Sequence, residues 1–294
     1  MICVTAASGT LGSEVVRQLE SAKAPFRGAY FSNDRAEAAG KRGIEAVVID
    51  YNRPETLRAA FQGCDKLFLL GPNVPHQTEL ERNAVKAAKA VGVQHIVKQS
   101  VLGAAEDSYS LAKVHRPVEK AIESSGQAWT FLRPNSFMQN AVTFMSATIR
   151  AEGSFYSASD HARISHVDVR DIAAVAVQAL TVPGHEGEAY TLTGAEALTY
   201  DDFASELSKA LARPISHVNL PPSDLKTGML AVGMPEEIAD RMLDLERYFR
   251  EGRASLVTDD IKQVTGREPR PFAEFVRETA RTGVWEAEAG GATR

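Results

Sequence analysis

Residues 4–12 read Val-Thr-Ala-Ala-Ser-Gly-Thr-Leu-Gly, and no other stretch narrows the fold so far. A short apolar run, Ile2, Cys3 and Val4, leads directly into a turn carrying Gly9 and Gly12. A segment with apolar residues at helical spacing, Val15, Val16 and Leu19, follows it. Strand, glycine turn and helix in that order suit the pyrophosphate of a dinucleotide. N–H groups at the helix N-terminus can receive its oxygens, and the helix dipole favours its charge. Gly9 lets the backbone approach the phosphates, and Gly12 lets the helix pack on the strand. Ala6 stands where such a turn ordinarily carries its first glycine, and alanine tolerates a positive φ less well.

The alternation continues. Short apolar runs recur at 29–31, 46–49, 66–70, 95–97 and 130–132, each dense enough to be buried on both faces. Helical patterns fill the gaps at 34–41, 54–62, 76–91 and about 110–125. Pro54 suits a first helical turn, and Gly63, Gly92 and Gly126 suit helix ends. This predicts a doubly wound parallel α/β sheet with right-handed crossovers. After residue 150 the pattern changes. A short strand is expected at 164–167, an apolar helix opened by Asp168 or Asp171 and running to Leu180, and another strand at 189–193. Thr199 caps a helix that Pro214 stops, and the stretch from Pro221 to Gly283 reads as mostly helical. The expected division is a cofactor domain at 1–150, a smaller mixed α/β lobe at 151–285 with chain crossing back, and a frayed tail at 286–294.

Composition excludes several classes. The net charge of −5 comes without a Lys/Arg block, so no nucleic-acid surface is expected. No stretch approaches a transmembrane length, and the N-terminus enters a strand at once, which predicts a cytoplasmic protein without a membrane partner. Two cysteines, Cys3 and Cys64, fit a reducing compartment and supply no disulfide framework. A metal set built from His161, His166 and Asp168 lacks regular spacing and cysteine partners, so no metal is expected.

Ligands of such sheets bind beyond the carboxyl ends of the strands. After the second strand comes Phe31-Ser32-Asn33-Asp34-Arg35, with no carboxylate at the strand end to accept from a ribose 2′-OH. Ser32 and Arg35 can instead bond a 2′-phosphate, Arg35 with charge assistance, although Asn33-Asp34 also reads as a plain helix cap. NADP(H) is expected over NAD(H). Asp50, after the third strand, either accepts from the adenine amino group or serves its turn. Gly71-Pro72 follows the fourth strand, where Gly71 lets the chain pass close to the nicotinamide ribose or simply turns. Ser100 follows the fifth strand, where catalytic groups belong.

Tyr109 and Lys113, four apart, can share one helix face, and an ammonium beside a phenol lowers its pKa for proton transfer. Pro117 challenges that helix and can make it start late, leaving both residues in a loop. His115 lies in the same stretch, facing a substrate cleft or capping a helix. Phe137, Met138, Phe144 and Met145 fall at helical spacing, either as core or as the floor of an aromatic-substrate pocket.

The chain resembles the NmrA-like atypical short-chain dehydrogenases/reductases. The resemblance is carried by 4–12, 66–72, 111–126 (LAKVHRPVEKAIESSG), 129–140 (WTFLRPNSFMQN), 164–180 (ISHVDVRDIAAVAVQAL), 184–194 and 197–212. It implies a Rossmann-like domain with a smaller C-terminal substrate lobe. It also implies NAD(P) binding by Ser8, Gly9, Thr10, Leu11, the Gly71 turn, Ser100 and Arg133-Pro134-Asn135, with Thr5 and Gly12 in the same first turn. Asn135, Phe137, Met138 and His115 are the candidate substrate contacts, and Tyr109 and Lys113 the candidate catalytic pair. The family resemblance implies NAD(P)H-dependent reduction of quinones, triphenylmethane dyes or azo dyes. The alternative is a non-catalytic NAD(P)-sensing regulator. The expected partner is a small aromatic or quinone-like molecule, and the expected assembly a monomer or homodimer. Phe31 departs from the Arg that NADP-preferring relatives often carry there.

Overall fold

A computed structural model describes residues 1–286 of the chain. The described elements run β1 (Ile2–Val4), α1 (Thr10–Ser21), β2 (Phe26–Tyr30), α2 (Asn33–Lys41), β3 (Glu45–Val48), α3 (Pro54–Phe61), β4 (Lys66–Leu69) and α4 (Gln77–Ala90). They continue with β5 (His95–Gln99), α5 (Ser110–Glu123), β6 (Ala128–Pro134), α6 (Asn140–Thr143), α7 (Ser146–Glu152), β7 (Ser154–Ser157), α8 (Val169–Thr181) and β8 (Glu188–Leu192). The last are α9 (Tyr200–Leu211), β9 (Ser216–Asn219), α10 (Pro222–Ala231), α11 (Glu236–Arg250), α12 (Asp260–Thr265) and α13 (Phe272–Ala280).

The chain forms two compact units that interleave along the sequence. The first comprises Met1–Pro134, Val169–Leu192 and Asp259–Arg267. The second comprises Asn135–Asp168, Thr193–Thr258 and the described residues from Glu268 to Glu286. The first crossing falls at Pro134, ahead of the boundary expected at 150.

The first unit holds a seven-stranded parallel sheet in the order β3-β2-β1-β4-β5-β6-β8. Its order reverses between β1 and β4, the position where doubly wound sheets open a ligand crevice. Strand interiors are apolar on both faces: Cys3, Val4, Leu67, Phe68, Ile96, Val97, Phe131 and Leu132 are fully buried. Helix α1 buries Leu11, Val15, Val16 and Leu19, the stripe its sequence spacing predicts. Gln18 of α1 donates to the Arg170 carbonyl at 2.8 Å, tying it to α8.

The second unit contains the two-stranded parallel pair β7-β9, with α9 started by a reciprocal Thr199–Asp202 capping box. It is stapled internally by Trp285, fully buried, whose indole N–H donates to the Ala141 carbonyl at 3.2 Å.

Three expectations are corrected. Residues 164–167 form no strand: Ile164 and Val167 make isolated bridges to two different partners, Leu198 and Phe137, so no ladder can extend. The strand expected at 189–193 is the edge of the large sheet, not part of the smaller lobe, because the α8 crossover returns it parallel to β6. Helix α5 starts at Ser110 and runs through Pro117. The proline removes only the one ladder donor that would meet the Lys113 carbonyl, which the helix tolerates; the adjoining Val114 carbonyl also accepts from the Thr78 hydroxyl at 2.8 Å. Of the tail expected to fray, 287–294 lies outside the described residues.

Candidate active site

The turn between β1 and α1 is built as its glycines require, with one exception. Gly9 donates to the Ala6 carbonyl at 2.8 Å, closing the turn. A Cβ on Gly12 would collide with that same carbonyl, so close packing demands glycine there. Gly9 is different. Its φ of −80° suits any residue, and a Cβ would meet only the Ala6 carbonyl at 3.3 Å. A side chain at 9 would crowd that backbone oxygen by a few tenths of an ångström, far less than at Gly12. The N-terminus of α1 has no side-chain cap and no acidic residue in its first turn, so its donors remain suited to an anion. Ala6 adopts φ +49°, the left-handed conformation the sequence flagged as costly for alanine.

Beside this turn, Arg35 in the first turn of α2 donates to the Ser8 hydroxyl at 3.0 Å. Ser32 is the N-cap of α2 and accepts the Arg35 backbone N–H at 3.5 Å, so the cap is Ser32 and not Asn33-Asp34. Phe31 is exposed and sits 5.8 Å, centroid to centroid, from the Tyr51 ring. Asp50 accepts the Asn52 N–H at 2.8 Å, the turn duty considered for it. The donor set of α1, Ser8 and Arg35, with no carboxylate at the end of β2, fits a phosphorylated dinucleotide.

The turn after β4 is held from three sides. The Thr5 hydroxyl and the Tyr51 hydroxyl donate to the Leu70 carbonyl at 3.1 and 2.9 Å. Leu70 N–H returns to Thr5 Oγ1 at 2.8 Å, and Gly71 N–H donates to Glu81 Oε1 at 2.8 Å. Pro72 accepts from Val74 N–H at 3.0 Å within the same loop.

At the ends of β5 and β6, Ser100 is fully buried and its N–H donates to the Leu132 carbonyl at 2.7 Å. Arg133 forks onto the buried carboxylate of Glu119 at 3.0 and 2.9 Å. Burial pushes the Glu119 pKa up, but the hydrogen-bonded Arg133 and Arg116 guanidiniums outweigh it and hold the group below its ordinary value. The Pro134 carbonyl accepts from Leu102 N–H at 2.9 Å.

Tyr109 is the N-cap of α5, in extended backbone, with its carbonyl accepting from Lys113 N–H at 3.0 Å. The tyrosine is buried and Lys113 exposed. Both therefore stand at the helix start, with Tyr109 just outside the helix rather than one turn along a shared face. His115 turns inward. It is 3% exposed and its Nδ1 lies 3.1 Å from Lys98 Nζ, so it belongs to the interior of the first unit. Burial and then the Lys98 charge hold its pKa well below the ordinary range, which keeps it neutral.

The remaining candidates lie in the second unit. Asn135 is buried and donates to Ser165 Oγ at 2.9 Å and the Ala254 carbonyl at 2.8 Å. Met138 is 1% exposed and packs near Gly194, while Phe137 is half-buried beside Val167. Asn135 and Met138 are thus occupied by internal packing. The same unit aligns Ser157, His217 and Asp201 at 2.8 and 3.1 Å, the connectivity of an acyl-transfer triad. Ser157 is 1% exposed within β7, so no substrate reaches its hydroxyl.

Sequence reasoning missed Glu81, Lys98 and Glu119, all fully buried charged residues. A signal existed for Lys98: a lysine inside the run His95-Ile-Val-Lys-Gln99, in a strand buried on both faces, requires a buried partner.

The NmrA-like family model matches residues 1–276, and the chain belongs to the NmrA-like family. It is similar to an NAD(P)H azoreductase of Xenophilus azovorans, 41% identical over 94% of this chain and 97% of the relative. Among solved structures it resembles an NADPH-dependent quinone oxidoreductase of Escherichia coli complexed with NADPH, with a TM-score of 0.87 and 29% identity over 95% of this chain and all of that one. A Citrobacter triphenylmethane reductase complexed with NADP(H) matches with a TM-score of 0.84 and 28% identity, covering 94% and 99% of the two chains.

Proposed function

We propose that this protein is an NAD(P)H-dependent reductase, with NADPH preferred, acting on a small flat electrophile such as a quinone or dye. The observation that carries the reading is the Ser8–Arg35 contact beside the open N-terminus of α1, with no carboxylate at the end of β2. Relatives named for azo-dye, quinone and triphenylmethane reduction support the substrate class. With the dinucleotide held at this turn, its nicotinamide would supply a hydride.

The chain's own residues have three duties. Gly9 and the first N–H groups of α1 receive the pyrophosphate. Ser8, Ser32 and Arg35 hold the 2′-phosphate. Thr5, Gly71, Pro72, Ser100 and Pro134 shape the strand ends near the reacting carbon, where positioning contributes most of the rate. Tyr109 supplies the proton that a reduced oxygen needs, with Lys113 favouring its transfer. The first unit binds cofactor and the second selects substrate. Among the described residues no helix is long and apolar enough to cross a membrane. The thiols Cys3 and Cys64, buried in contact and not bonded to each other, fit a reducing cytoplasmic setting.

The test is NADPH and NADH oxidation with a naphthoquinone, an azo dye and a triphenylmethane dye, alongside direct cofactor titration. Turnover with NADPH preferred is expected. Gly9→Val should abolish cofactor binding while the protein keeps a cooperative thermal transition, lowered by the crowding against the Ala6 carbonyl. Tight NADPH binding without turnover on any acceptor would favour the sensing role instead.

A further inference from the structure

A buried charge cluster sits behind the turn that follows β4. Lys98 on β5 lies beside Leu69, the last residue of β4. Its ammonium has three donors and finds three acceptors: a Glu81 carboxylate oxygen at 3.1 Å, His115 Nδ1 at 3.1 Å and the Gln99 carbonyl. Glu81 on α4 is fully buried. It accepts from Lys98, from Gln77 Nε2 at 3.4 Å, and from the buried Gly71 N–H at 2.8 Å. Gly71 itself is shaped by this carboxylate: a Cβ there would stand 2.5 Å from Glu81 Cγ and Oε1. Glycine at 71 thus makes room for the glutamate, which in turn takes the glycine's N–H. Thr5 and Tyr51 hold the carbonyl of the planar Leu70–Gly71 peptide, and Glu81 accepts from the N–H at its other end, which neither of them reaches.

We propose that Glu81 is a positioning residue for the cofactor: it holds the N–H end of the Leu70–Gly71 peptide at the nicotinamide end of the site, and Lys98, with His115 beside it, makes a carboxylate tolerable in that interior. The proposal rests on the reading of the first unit as an NADP(H) site. A buried N–H without its acceptor would find another partner by moving the turn. The adenylate end, held by Arg35, Ser8 and α1, is separate from this cluster and should not respond.

Two double variants isolate the role. Glu81→Gln with Lys98→Met removes both charges and keeps an acceptor for Gly71. Glu81→Leu with Lys98→Met removes both charges and the acceptor. Exchange of a buried ion pair for apolar groups is often neutral or stabilising, so the Leu/Met double should keep its fold, and thermal melts check both doubles. NADPH is titrated against 2′,5′-ADP, which carries the 2′-phosphate but no nicotinamide half. The Leu/Met variant should weaken NADPH about three- to tenfold and leave 2′,5′-ADP unchanged, while Gln/Met stays near wild type for both. Equal NADPH affinity in the two doubles would overturn the proposal, as would parallel loss of both ligands. If either double fails to fold, Glu81→Gln alone and Gly71→Ala repeat the comparison, the alanine displacing the carboxylate; unchanged selectivity between the two ligands in Gly71→Ala counts against the role. Wild-type protein that binds neither ligand would instead refute the underlying cofactor reading.

Discussion

Arg35 and Ser8 hold each other across 3.0 Å, so the guanidinium after β2 is tethered to the turn after β1. A tethered guanidinium loses less freedom when it takes an anion than a free one would. Arg35→Ala should weaken NADPH by about 1.5–3 kcal/mol, roughly ten- to a hundredfold, and leave NADH nearly unaltered. Paired titrations with both cofactors check this. Equal weakening of the two would remove the 2′-phosphate from the account of Arg35.

Ala6 carries a positive φ of 49° where glycine would rest without strain. A left-handed alanine costs about 1–2 kcal/mol, and glycine would return about 0.4–1 kcal/mol of that as unfolded-state entropy. Ala6→Gly should therefore stabilise by up to about 1 kcal/mol, a rise of about 2–4 °C in Tm. NADPH affinity should hold within about twofold, because the Ala6 carbonyl that receives Gly9 keeps its place. A lower Tm would show that the strain is absent or is relieved by the methyl group's packing.

Tyr109 at the head of α5 is the proposed proton donor. Tyr109→Phe should cut kcat by about 10²–10⁴ on a carbonyl or azo acceptor while cofactor affinity survives. A quinone should lose less, since solvent can protonate a stabilised phenolate. Lys113→Met should follow the same pattern more weakly, because the exposed lysine acts through the tyrosine. Full activity of Tyr109→Phe on every acceptor would reduce the residue to a helix cap.

Glu246, on α11, is buried against Ala158 N–H at 3.3 Å. Burial pushes its pKa up to about 7, against weaker opposing help from Ser159, Ala158 and Arg250. The folded state therefore binds the proton more tightly than the unfolded chain, whose carboxyl titrates near 4.5. The stability that this group contributes is present below the unfolded value and is lost as pH rises through the folded one. Glu246→Gln keeps an acceptor and removes the titration. Its Tm should exceed wild type by a few degrees at pH 8, with the gap closing toward pH 4.5. A gap independent of pH would place the effect elsewhere.

The large sheet was legible because its strands and helices each obey one period: Val15, Val16 and Leu19 mark one face of α1, and Leu67, Phe68 and Leu69 of β4 and Ile96 and Val97 of β5 are buried apolar runs. Strands β7 and β9 were not, because Ser-Phe-Tyr-Ser and Ser-His-Val-Asn offer too few apolar positions to distinguish them from loop. The run at 164–167 misled because Ile164 and Val167 are buried like strand residues while its backbone serves two separate neighbours. At the site, the glycine turn and Arg35 could be read locally. Glu81 and Lys98 could not, since their pairing spans 17 residues and four elements meet only after the sheet is assembled. The inward turn of His115 is a consequence of that same pairing.

The interleaving of the first unit bears on how the protein is made. Strand β6 gains its outer neighbour only when Glu188–Leu192 has been synthesised, and Thr191 N–H finds Asp260 Oδ2, at 2.6 Å, only later still. Translation must run through Arg267 before that unit has all its parts. Until Leu192 has been made, the nascent chain displays an unpaired parallel edge at β6, a surface that chaperones and neighbouring nascent chains recognise. Slowing of translation before β8, rather than after it, would be the more hazardous place for a pause.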